Sequence, residues 1–308
     1  MKSLDELLQM NDHERAKYLF EQAYCKKERL DPEYEEMIKI EEGYWLHRYI
    51  EDIIQNRWEQ AEEIILKDPY YAYLYAKDVI KGRWEKAEKV IIKSSRWAAF
   101  YAIEVLNKPW PEAENVIAKD SYSAFKYVEC LIKKPHKLME TAIFKMESLA
   151  YDYVEKIIKK PYPPVEPIII KDEVYAYLYA KNIIKRRWPE AEPTIIKHLD
   201  MSLYYAAFVI KDRWKEAEEL YDDYIDEYMK QPESEWIDSN LDVWSNHINN
   251  KEIRRIIEEL YYELIGVKTE CSDNCIKEIK NNLNTFSDLV LFVKYVDKIN
   301  DTEIIKLY

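Results

Sequence analysis

The sequence predicts an all-α protein, an α-solenoid of tandem 26-residue helical hairpins with helical caps at both ends. Three observations carry the prediction: a tryptophan-centred phrase at a fixed period, an apolar spacing that is helical, and only three glycines in 308 residues. The phrase is VIKGRWEKAE at 79–88, which returns as NIIKRRWPEAE at 182–192 and as FVIKDRWKEAE at 208–218. From Trp58 the frame runs through Trp84, Trp110, His136, Tyr162, Trp188 and Trp214 in unbroken steps of 26. Self-similarity at a fixed period marks stacked repeats, in which each unit buries its apolar face on the next. Carried one step back the frame gives Pro32, so units are expected to start at 31, 57, 83, 109, 135, 161 and 187, with a divergent start at 213. Residues 31–238 form the predicted repeat region, 1–30 an N-terminal helical cap, and 239–308 a C-terminal cap or small bundle.

The cap opens with Ser3 and Glu6 at capping-box spacing, and Asn11 and Glu14 repeat the signal. Within a unit, the first helix follows the aromatic at position 2 and carries apolar residues at 5, 8 and 9, such as Ala61, Ile64 and Ile65. Pro111 and Pro189 suit its first turn, whereas Pro167 and Pro193, at position 7, predict a broken or shifted helix in their units. The second helix is capped at position 12 by Asp68, Ser94, Asp120 and Asp172. Its predicted buried stripe is positions 16, 20, 23 and 24, as in Ala72, Ala76, Val79 and Ile80. Neither helix reaches the ~12–15 residues at which an isolated helix stands in water, so neighbouring units must supply the core.

Two columns do not vary. Position 6 is glutamate at every start, reading Glu36, Glu62, Glu88, Glu114, Glu140, Glu166, Glu192 and Glu218. Position 19 is tyrosine throughout, at Tyr49, Tyr75, Tyr101, Tyr127, Tyr153, Tyr179 and Tyr205. With Trp58, Trp84, Trp110, Trp188 and Trp214 these are expected to be packing columns, each carboxylate hydrogen-bonded to a tyrosine, a tryptophan N–H or a helix end. One carboxylate per unit without a histidine column is poor geometry for acid–base catalysis. His13, His47, His136, His198 and His247 fit no metal or catalytic motif, and Cys271 and Cys275 lack a histidine at zinc-ligand spacing. No catalytic residue, metal site or cofactor is expected.

The formal charge of −13 is unevenly spread: residues 57–212 carry 26 basic and 23 acidic side chains, whereas both ends are acidic. Lysines recur at position 11 (Lys67, Lys93, Lys119, Lys145, Lys171, Lys197) and at position 25 (Lys81, Lys133, Lys159, Lys185, Lys211). Such ladders can follow a phosphate backbone, and a nucleic-acid-binding repeat protein is the alternative reading. The near-neutral middle and the place of these lysines at helix C-termini favour helix chemistry instead. A dense negative stretch, including Asp222, Asp223, Asp226 and Glu227, is a candidate patch for a basic partner. No apolar run is long enough to span a membrane, and the N-terminus has no apolar leader core, so a cytoplasmic protein is expected.

Positions 14, 18, 21 and 22 of the second helix change freely from unit to unit, as a recognition face inside a constant frame must. The candidate partner-binding residues there are Leu74, Phe100, Ile103, Lys126, Leu178, Tyr204 and Phe208; the competing role for these side chains is contact with the adjacent helix layer. RWPEAE at 187–192 after YAYLYAKNIIK at 175–185, and KDPYYAYLYAKDVIKGRW at 67–84, resemble the short tandem repeats of uncharacterised proteins of bacterial viruses and mobile elements. The resemblance covers about 31–218 and departs most at 135–160 and 161–186. It implies a small acidic binding protein in the host cytoplasm that occupies or inhibits a host factor, such as an anti-phage defence complex. The expected function is therefore non-catalytic binding of a protein partner.

Overall fold

The computed structural model describes residues 2–40, 43–230, 285, 287–290 and 294, with the backbone alone at 224–230. Among the described residues every regular element is helical. Contacts divide the chain into two units, Met1–Leu149 and Ala150–Tyr308, and the repeat is found in each.

The first unit opens with helices Leu4–Leu8 and Asp12–Lys26, started by the reciprocal Ser3/Glu6 capping box and by Asn11, whose side chain accepts the Glu14 N–H at 2.9 Å. Pairs of short helices follow, among them Glu59–Ile65 with Pro69–Leu74 and Glu85–Ile91 with Ser95–Phe100. Asp68, Ser94 and Asp120 each cap a second helix through the side chain, as does Asp172 in the second unit. Pro167 and Pro193 lie in first helices of only four residues, Glu166–Ile169 and Glu192–Ile195, the former entered through a 3-10 turn at Pro163–Val165. In the first unit, second helices of successive repeats lie side by side: Pro69–Leu74 packs on Ser95–Phe100, which packs on Ser121–Tyr127. In the second unit Glu173–Leu178 packs on Leu199–Tyr205.

Every second helix ends by widening into a π-helical turn. These turns are Ile50–Ile54, Tyr75–Ile80, Tyr101–Leu106 and Val128–Ile132 in the first unit, and Val154–Ile158, Tyr179–Ile184 and Ala206–Ile210 in the second. Each closes on a left-handed residue at position 25, where Gln55, Lys81, Asn107, Lys133, Lys159, Lys185 and Lys211 have φ between 49° and 62°. The N–H of that residue reaches back five residues, as from Lys133 to the Val128 carbonyl at 2.7 Å. A left-handed non-glycine residue costs roughly 1–2 kcal/mol, so the turn exists because its packing and its hydrogen bond outweigh that cost. The lysine column at position 25 is thus a left-handed helix end as well as a row of cations.

The wide turn corrects the predicted stripe. Adding nearly one residue per turn makes a 3.6-residue extrapolation drift, so Val79 and Ile80 are only half-buried. The buried set is positions 16, 17, 19 and 20, read in one repeat as Ala72, Tyr73, Tyr75 and Ala76. Position 17 is a core column that the sequence reading passed over: His47, Tyr73, Ala99, Phe125, Tyr151, Tyr177 and Leu203 are all buried.

The first repeat also corrects the frame. Leu30, not Pro32, donates its N–H to the Tyr49 hydroxyl at 2.7 Å, and Glu35, not Glu36, accepts the Tyr49 O–H at 2.9 Å. Glu36 points outward to Lys39 at 2.5 Å with its side chain 72% exposed. One extra residue between Leu30 and Glu35 and another between Glu35 and Tyr49 absorb the slip, which sequence counting without a gap could not register.

The cap predicted at 239–308, including His247, Cys271 and Cys275, lies outside the described residues except at 285, 287–290 and 294, as do 231–238. Thr285 and Asp288 cap one another's backbone N–H groups, and Leu289 and Val290 are buried.

Candidate functional site

The recurring joint is built from positions 1, 2, 6 and 19. The position-19 tyrosine is 0% exposed in every repeat, and burial of such a ring removes roughly 150–250 Å² from water, worth about 4–6 kcal/mol gross. Its hydroxyl accepts the backbone N–H of its own repeat's position 2: Trp58 to Tyr75 at 2.7 Å, Trp84 to Tyr101 at 2.8 Å, Trp110 to Tyr127 at 2.7 Å, Tyr162 to Tyr179 at 2.8 Å and Trp188 to Tyr205 at 2.6 Å. The same hydroxyl donates to the position-6 carboxylate, from Tyr101 to Glu88 at 3.4 Å, Tyr127 to Glu114 at 3.1 Å, Tyr179 to Glu166 at 3.1 Å and Tyr205 to Glu192 at 3.2 Å. Its ring faces the tryptophan of the next repeat. Ring centroids are 5.8 Å apart for Tyr49 and Trp58, 5.0 Å for Tyr75 and Trp84, 5.3 Å for Tyr101 and Trp110, 5.2 Å for Tyr179 and Trp188, and 5.2 Å for Tyr205 and Trp214. One residue therefore closes its own hairpin and seats the next. Burial raises the tyrosine hydroxyls, Tyr101 to about 12.

Sequence reasoning missed the fourth member. Arginine at position 1 clamps the glutamate with a two-pronged fork: Arg57 on Glu62 at 2.5 and 3.2 Å, Arg83 on Glu88 at 2.7 and 3.0 Å, and Arg187 on Glu192 at 2.6 and 2.9 Å. Arg213 grips Glu218 in the same way, and with the Ser287 hydroxyl at 2.7 Å it holds that carboxyl below the usual range. The signal was an Arg-Trp pair followed by glutamate five residues on. Prolines replace the arginine at 109, 135 and 161. Glu114 then lies 3.4 Å from His136, the histidine of the tryptophan column. The expected bond from a tryptophan indole to the carboxylate is not made at Trp84 or Trp214, whose buried ring N–H groups have no partner.

The proposed recognition face lies at half depth. Leu74, Phe100, Ile103, Lys126, Leu178, Tyr204 and Phe208 are all partly buried, which places them along the seam between adjacent second helices. Phe100 packs 6.4 Å from Tyr73 of the preceding repeat and 6.1 Å from Trp97. Tyr204 lies 6.0 Å from Tyr177, and Lys181 sits 4.4 Å over the Phe208 ring. Lys126 is paired with Glu129 at 2.6 Å. Seam polarity changes from repeat to repeat: His47 faces Asp78 at 3.6 Å, the Tyr73 hydroxyl donates to Glu104 at 2.7 Å, and the Asn182 amide donates to the Tyr151 hydroxyl at 2.8 Å. Burial lowers His47, outweighing its acidic neighbours Glu51 and Asp78.

More exposed than these are Tyr70 and Arg96, which meet at the half-buried Trp97 in the first unit and which the candidate set left out. Tyr70, 36% exposed, lies 4.5 Å from Trp97, and the Arg96 guanidinium sits 5.0 Å over the same indole. Trp97 stands outside the 26-residue frame, which was the available clue. In the acidic patch Asp222 is half-buried and Asp223 exposed, while the side chains of Asp226 and Glu227 lie outside the described ones. The lysines of positions 11 and 25 are exposed. Among the described residues no group of histidine, cysteine and carboxylate side chains is arranged to hold a metal, and no helix is long and apolar enough to cross a membrane.

Comparison of the chain with protein-family models, curated proteins and solved structures finds no match.

Proposed function

We propose that this is a non-catalytic binding protein whose helical hairpins stack as an α-solenoid within each unit and present their second-helix face to a protein partner. The observation that carries the reading is the pair of exposed side chains Tyr70 and Arg96 on the half-buried Trp97, with the two rings 4.5 Å apart and the guanidinium over the indole, on a frame whose buried tyrosine column does not vary. Aromatic rings and arginine are the side chains that most often anchor protein interfaces, because they offer large area with few rotatable bonds. Phe100 flanks this group with its ring 6.1 Å from Trp97, Ile103 lies one turn further along the same second helix, and Leu178, Tyr204 and Phe208 offer the corresponding surface in the second unit. The repeat resemblance points to a host regulatory or defence factor as the partner, with occlusion as the mechanism.

The test is capture of a partner from bacterial lysate with the wild-type chain, followed by affinity measurements. Tyr70→Ala and Arg96→Ala should each weaken the complex roughly tenfold or more with little change in Tm. Equal loss of affinity and fold, or no loss of affinity, would reject the face. The exposure of both lysine columns favours a second reading, nucleic-acid binding along a lysine ladder. That reading requires affinity that falls steeply with salt, and absence of binding at low salt removes it.

A further inference from the structure

The position-6 carboxylate is served differently along the chain. Arg57, Arg83, Arg187 and Arg213 fork onto it in four repeats, Arg29 forks likewise onto Glu35 in the first, and His136 approaches it at Glu114. At Glu166 position 1 is Pro161, and among the described residues its carboxylate has one partner, the Tyr179 hydroxyl at 3.1 Å. Beside it opens a cleft of about 620 Å³ whose walls include Pro161, Glu166, Arg186, Arg187, Trp188 and Glu190. Arg187 is committed to Glu192 at 2.6 Å, and Arg186 is exposed and makes no ion pair among the described residues. Glu166 and Glu190 against Arg186 leave the cleft one negative charge in excess, and its proline and tryptophan walls suit the methylene stem of a long cationic side chain.

We propose that this cleft receives a guanidinium or alkylammonium side chain from a partner, in the place where sibling repeats hold their own arginine. A carboxylate steadied by a buried tyrosine, with one oxygen taken, is an acceptor for a forked donor, and the four sibling repeats show that the fork fits. The inference deepens the partner-binding reading and rests on it only for the source of the cation, because a small probe reads the cleft without any partner.

The experiment is titration of the full-length ¹⁵N-labelled chain with L-argininamide, using L-citrullinamide as the neutral isostere and the tryptophan indole N–H signals as reporters. The Trp188 signal should shift saturably with L-argininamide and stay still with L-citrullinamide. The Trp58 signal, whose neighbour Glu62 is already clamped, should stay still with both. Pro161→Arg should abolish the shift and raise Tm by supplying the cation internally, and Glu166→Gln should abolish the shift. Should Glu166→Gln fail to fold, Pro161→Arg still decides. A silent Trp188, equal movement of all indoles, or an unchanged shift in Pro161→Arg overturns the proposal. So does a lowered Tm in Arg186→Gln with Trp188 silent in the wild type, which would make Arg186 the resident counter-ion.

Discussion

The joint at Trp84, Glu88 and Tyr101 and the joint at Tyr162, Glu166 and Tyr179 carry the same backbone bond with different furniture. In both, a tyrosine hydroxyl takes the position-2 N–H at 2.8 Å and reaches the glutamate. Only the first has an arginine fork and a fully sunk indole; the second has proline at position 1 and a half-buried tyrosine at position 2. The difference separates what the repeat requires from what it tolerates. A buried backbone N–H without an acceptor costs roughly 1–3 kcal/mol wherever it occurs, so the hydroxyl is kept. An exposed ion pair is weakly stabilising and screened by salt, so the arginine can be lost and its carboxylate put to another use.

The largest effect expected is from Trp84→Ala, which should cost about 3–5 kcal/mol in denaturant unfolding by emptying a core site against Tyr75. Tyr162→Ala should cost less than half as much, and equal costs would break the distinction between the joints. Next, Tyr101→Phe and Tyr179→Phe should each cost about 1–3 kcal/mol and match one another, since both orphan the same N–H. A mismatch would mean that the arginine fork supports the hydroxyl bond. Alkaline titration should sharpen this. The Tyr101 hydroxyl is raised from 10.0 to about 12, so its contribution to stability is fully present below pH 10 and is lost as pH rises towards 12, because the unfolded chain ionises first. After exposed rings such as Tyr24, Tyr44, Tyr70 and Tyr122 have ionised, the remaining rise in tyrosine absorbance near 295 nm should therefore coincide with loss of the helical circular-dichroism signal, and completion of the absorbance rise before any helix is lost would contradict the buried column. Smallest is Arg83→Gln: it should lower Tm slightly at low salt and hardly at all in about 0.5 M NaCl, while Pro161→Gln leaves Tm insensitive to salt.

The period, the helical class, the cap residues and the tyrosine and glutamate columns were legible because each is a local choice made again in most repeats. Ser94 caps its helix, and Tyr101 is buried, for the same reason as their counterparts 26 residues away. The position-17 column was not legible because it mixes His47, Tyr73, Ala99 and Phe125, so no single residue type marks it. The half-depth of Phe100 and Phe208 was hidden for a related cause, since their partners Tyr73 and Lys181 belong to the preceding repeat. Glu35 was passed over in favour of Glu36 because an ungapped count cannot see the one extra residue between Glu35 and Tyr49.

By itself, the sequence determined that the chain is helical, where most hairpins begin, and which two polar side chains every joint must contain. Those features follow from backbone geometry and from the need to bury each short helix on a neighbour. Tertiary structure decided the rest: the π-helical turn with its left-handed lysine, the arginine fork, the seam between second helices, and the cleft at Glu166. Each of these depends on groups distant in the chain arriving within a few ångströms of one another, and the strength of such contacts is set by separation in space, which residue order alone does not fix.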